Sequence, residues 1–188
     1  MPRSRDTLVR AMHDLGVAAW FGGSLMGAVG VNGATRSVSG PQNHLAVAAS
    51  GWGRWSPVAV AAIGTHLVGG AGLVFANRGR VAAQQGAAAN TIVKTVLTGA
   101  AIGSTLYAGV LGAHLATETD TPVEAATVPG SQTPDRVARS QQQLRVLQWL
   151  TPLLTGTLIV LGAQQGEQQK PAEVVKGGAS TFLRRARL

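Results

Sequence analysis

The sequence predicts an all-α polytopic membrane protein, with four transmembrane helices in one bundle and both termini cytoplasmic. Two observations carry this prediction. Four apolar runs, at about 15–34, 58–77, 95–117 and 146–163, contain no Asp, Glu, Lys or Arg. An α-helix rises about 1.5 Å per residue, so about 20 residues cross a hydrocarbon core of about 30 Å. The second observation is the uneven sharing of basic residues between the runs. The N-terminal segment, the second loop and the tail hold eleven Lys and Arg, against five in the first and third loops. The positive-inside bias assigns the richer set to the cytoplasm. The acidic residues Glu118, Asp120, Glu124 and Asp135 then lie outside.

The first run follows Arg3, Arg5 and Arg10. Its length of about 20 exceeds the 7–15 apolar residues of a signal peptide, so it reads as a span. Within it His13, Gly16, Trp20, Gly23, Gly27 and Gly30 recur at steps of three and four, which is one stripe of a helix. Gly23-Ser-Leu-Met-Gly27 has the GxxxG spacing that lets helix backbones approach in lipid. Residues 35–56 form an outer loop whose segment 45–49 is apolar and reads as interfacial. Trp52 and Trp55 flank Arg54 and read as an aromatic anchor at headgroup level, or as a partner contact.

The second run places His66, Gly70, Leu73 and Asn77 on one stripe. The inner loop, Arg78–Lys94, lacks proline and is expected to extend a helix. The third run carries a second GxxxG, Gly99 and Gly103, with Tyr107 and His114 on nearly the same face. These glycine faces are expected to meet in the bundle interior or to contact another subunit. The segment 118–143 opens with Thr121-Pro122 and contains Pro129-Gly130 and Thr133-Pro134, which mark irregular chain. Helix resumes beyond Pro134 and leads into the fourth run, where Pro152 removes one backbone donor. The chain thus divides into a four-helix domain, 1–166, and a basic cytoplasmic tail, 167–188. The tail's alternation of apolar and basic residues suits anionic lipid at the inner leaflet.

With 188 residues, a net charge of +8 and no cysteine, the composition excludes disulfides and thiolate sites. Flanking basic residues account for the charge, so nucleic acid is not an expected partner. P-loop, GxSxG and HExxH motifs are missing, and no catalytic residue, metal site or cofactor is expected. His66 is the notable residue, because an ionisable group deep in a span raises a functional hypothesis. It is read either as a haem or metal ligand or proton relay, or as a neutral imidazole bonded to Ser24, Ser104 or Thr105. His13 is expected at the opposite surface, His114 about 12 Å off along the axis, and His44 in a loop. No second imidazole then matches the depth of His66 within one chain.

The stretch His13-Asp-Leu-Gly-Val-Ala-Ala-Trp20-Phe-Gly22-Gly23 resembles the first helix of small bacterial membrane families related to copper-resistance protein D. Those carry a His near the start, then a Trp and one or two glycines. The resemblance covers one helix of four. The several His or Met ligands that a copper-linked role implies are missing here, so no site is carried over. In composition the whole chain resembles uncharacterised actinobacterial four-helix membrane proteins.

The expected function is a non-enzymatic accessory or assembly subunit of a larger bacterial inner-membrane complex, for envelope lipid transport or respiration. Other integral membrane subunits are then its partners. The alternative is a small homodimeric transporter or redox-linked carrier using His66, in which a dimer brings two such histidines to equal depth.

Overall fold

The computed structural model describes residues 3–78 and 85–168. Four long helices account for most of them, and the described residues contain no strand beyond a single Ala125–Val128 bridge. Helix α1 (Arg3–Met26) continues through a π-helical turn at Gly27–Val31 and a last α turn at Asn32–Ala34. Helix α2 spans His44–Ala76, α3 spans Gln85–Ala116 and α4 spans Asp135–Gln168. Four segments are long and apolar enough to cross a membrane: Thr7–Ser37, Pro41–Ala76, Ala89–Ala116 and Asp135–Gln164.

Each helix outruns its apolar run in the sequence. An uncharged run marks the length that hydrocarbon demands, whereas helical hydrogen bonding continues into the polar flanks. The segment 45–49, expected as an interfacial loop, therefore belongs to α2. Its Leu45 is buried with Leu115, Val123 and Val137. The loop 78–94 is helical from Gln85 onward. The basic tail and its lipid contact lie outside the described residues.

The helices pack in a ring. α1 lies most extensively against α2, α3 lies against α4, α4 closes onto α1, and the seam between α2 and α3 is the thinnest. Trp20 of α1 fills the centre at 1% exposure, against Ala62 and Ala101. Its indole N–H reaches across to donate to Thr105 Oγ1 of α3 at 3.1 Å.

The connection 117–134 folds back over one end of the ring. Val123, Ala125 and Ala126 are buried there. Buried backbone needs partners, and polar side chains supply them. Gln141 Nε2 donates to Ala125 O at 2.9 Å and Ala126 O at 3.1 Å, and Thr35 Oγ1 accepts from Ala126 N at 3.0 Å. His44 clamps the loops through Nδ1 to Val123 O at 2.9 Å and Nε2 to Val38 O at 3.0 Å.

Candidate functional site

The closest approach of two helices joins α1 and α2. A Cβ on Gly16 would stand 2.5 Å from His66 N and 2.7 Å from Ala62 O. One on Gly69 would collide with His13 N. Backbone therefore lies on backbone at both positions, and only glycine permits it. The two contacts mirror each other, because His13-Asp-Leu-Gly16 and His66-Leu-Val-Gly69 share one spacing and meet antiparallel.

The histidines complete the mirror. His66 Nδ1 donates to His13 O at 3.0 Å, and His13 Nδ1 donates to His66 O at 3.2 Å. The rings stack at 4.0 Å with planes 21° apart. A neutral ring so bonded keeps its hydrogen on Nδ1 and leaves Nε2 as an acceptor. His66 is 2% exposed, and its Nε2 faces Thr98 Oγ1 at 3.5 Å. The Trp20 ring meets it edge-on at 6.4 Å.

Two expectations about His66 are overturned here. Its partners are His13 and Thr98, rather than Ser24, Ser104 or Thr105. His13 lies beside it instead of at the opposite surface, because α1 and α2 both run beyond the apolar runs from which depth is read. A second imidazole therefore stands at its depth within one chain. His114 lies in the last turns of α3, far along the chain from this crossing. The described residues contain no group of three or more His, Cys, Asp or Glu that would hold a metal ion.

Above the crossing the stripe of α1 continues against aromatic rings. The Trp55 ring occupies the place of a Gly23 Cβ, and the Trp52 ring that of a Gly27 Cβ. Both indoles thus pack inside the chain instead of serving only as a surface belt. Gly30 drops out of the stripe, since the π turn rotates the helix and its neighbour is Met26 of the same helix. Trp52 Nε1 donates to Asn32 Oδ1 at 2.8 Å, and Asn32 Nδ2 donates to Gln148 Oε1 at 2.9 Å. This chain of bonds ties α1, α2 and α4. Ser104 and Thr151 share a bond at 2.8 Å between α3 and α4.

Between these groups and α3 lies a cavity of about 340 Å³. Gly53 of α2 and Gly109 and Gly112 of α3 line it, and a Cβ on any of them would meet nothing within 4 Å. Trp20 bounds one end, and Leu45, Leu115, Ala126 and Thr127 bound the other. Gly99 and Gly103 also have open space before them, but they lie outside the cavity on the exposed side of α3.

Periodicity alone does not reveal Gly69, Thr98, Thr35 or Gln141. The steps Ala59, Ala62, His66 and Gly69 give the buried stripe of α2, and the repeated His-x-x-Gly spacing is the available signal for Gly69. Thr35 and Gln141 carry no such signal, because their partners are loop backbone atoms. No family model, no curated protein and no solved structure matches this chain.

Proposed function

We propose that the four helices cross the bacterial inner membrane as one bundle with both ends on the cytoplasmic side. In this reading the chain is a non-enzymatic accessory or assembly subunit of a larger membrane complex. The observation that supports it is the outward face of α3. Gly99 and Gly103 stand exposed there, and a Cβ on either would meet nothing within 4 Å. Beside them Ile92, Val96, Leu106 and Val110 are exposed as well. Lipid provides no hydrophobic drive for helix pairing, so close backbone approach at small residues carries the association. The same device holds α1 to α2 within the chain; on α3 it has no partner among the described residues. A transmembrane helix of another subunit fits that face.

The chain has no cysteine, so a single Leu106→Cys variant reports on this face alone. Expressed at native level, alkylated with a maleimide–benzophenone and illuminated in intact membranes, it should cross-link to one membrane protein, and Gly103→Leu should abolish the product. A cross-linked homodimer would instead make the chain its own partner. Recovery of an uncross-linked chain alone in mild detergent would remove the subunit reading. An absorption spectrum of the same eluate tests the alternative carrier: a chromophore lost in His66→Ala would move the function to the histidine crossing.

A further inference from the structure

We propose that the cavity between α2 and α3 holds one linear hydrocarbon chain of a membrane lipid, an acyl or isoprenoid tail that enters sideways between these helices. This rests on the helices crossing a bilayer and is independent of the subunit reading.

The position of the cavity selects the route. Trp20 lines one end of it, and the folded connection around Ala126 lines the other. The α2–α3 seam is the thinnest of the ring. Gly53 and Ser56 on α2, and Gly109 and Ala113 on α3, line the cavity and are themselves exposed. The doorway is therefore lateral, built of small residues, and lies within two segments apolar enough to span a membrane. What stands outside such a doorway in a bilayer is lipid, and the exposed Arg54 on the same turn of α2 suits a lipid headgroup there.

The chemistry of the walls selects the occupant. Water requires two to four polar partners in a cavity. The Trp52 indole and the amide of Asn32 bond to each other and to Gln148, the Trp20 indole is held by Thr105, and Thr151 by Ser104. Ser24 donates to Phe21 O at 3.0 Å. These groups are already paired; the Trp55 indole N–H and the Thr127 hydroxyl are the lining groups that are not, and the rest of the lining is mostly apolar. An unfilled apolar void forfeits the dispersion contacts of its lining. About 340 Å³ lies at the small end of ligand pockets, which run from about 300 to 1,000 Å³. It has room for one chain and not for a whole two-chain lipid.

The test uses the full chain reconstituted in vesicles of phosphatidylethanolamine and phosphatidylglycerol. One arm adds a tracer phospholipid with a diazirine on an acyl chain, the other a diazirine-bearing isoprenoid alcohol. After illumination the labelled residues are mapped. Label at Trp52, Ala108 and Leu147 should saturate with tracer, whereas label at the outward Leu106 and Val110 should rise in proportion to it. Gly112→Leu fills the cavity and should lower the inner label about tenfold or more, the scale on which an apolar pocket rejects excess methylene groups. The outer label should not change. The arm that saturates at the lower tracer fraction names the chain. Proportional labelling at inner and outer positions in the unmodified protein would overturn the site, whatever the variant does. Label at the outer positions only would overturn it too and leave the membrane reading standing. No label anywhere would overturn both.

Discussion

The α1–α2 crossing and the α2–α3 seam use the same residue for opposite ends. At the crossing, Gly16 and Gly69 remove side chains so that two backbones touch, and His13 and His66 bond each to the other's carbonyl. At the seam, Gly53, Gly109 and Gly112 remove side chains and nothing moves in to replace them. Glycine in a helix is thus a licence for close approach only where a neighbouring helix is brought up to it. Where the neighbours are held apart it produces a cavity. At the seam the separation coincides with bulky groups: Trp52 and Trp55 of α2 lie against α1, and the connection around Ala126 rests on the end of the ring.

One substitution made in both regions breaks the comparison most sharply. Gly16→Leu forces a side chain into the backbone of α2 and should cost about 3 kcal/mol or more, read as a large fall in the midpoint of denaturant unfolding in detergent. Equal tolerance of leucine at Gly16 and at the seam would show that the crossing is not packed as described. His66→Ala should cost about 2–3 kcal/mol, since it empties a buried volume and leaves His13 O without its donor. His13, which is half-buried, should lose less on the same change, and a reversal of that order would assign the stabilising burial to the wrong ring.

Trp52→Phe sharpens the boundary between the two regions. The ring still covers Gly27, but Asn32 Oδ1 loses its donor, so a cost of about 1–2 kcal/mol is expected. Asn32→Leu with Trp52→Phe should cost less than the sum of the two, because both break one bond; strict additivity would deny the bond. The smallest effect, of opposite sign, is expected at the seam. Gly109→Leu should be neutral or stabilising by up to about 1 kcal/mol, because a Cβ there meets nothing and glycine is a poor helix former. A loss there would mean that α2 and α3 close on each other more tightly than the open seam allows.

Much of this is legible from residue type and spacing. The apolar runs mark four helices long enough to span a membrane, and the stripe from His13 through Gly27 marks the face that α1 turns inward. The limits of that reading have physical causes. Run centres give depth only if helices end with their runs, yet α1 and α2 extend further, so His13 and His66 stack where run centres set them apart. Gly69 and Gly70 both lie near one face at helical spacing, and only the crossing selects Gly69 as the one that touches backbone. The two GxxxG patterns look alike in sequence, because the spacing describes a helix face and says nothing about what stands opposite.

By itself, then, the sequence determined helix number, apolar length and which residue types stand on each face, since these follow from the rise and period of a helix and the cost of charge in lipid. The tertiary structure alone decided which glycines meet a neighbour and which face open space, that two distant histidines share one level, and that the connection 117–134 covers the ring. Those outcomes depend on how far apart the helix axes lie and where the chain returns. Both are set by contacts between residues far apart in sequence, and no local pattern encodes them.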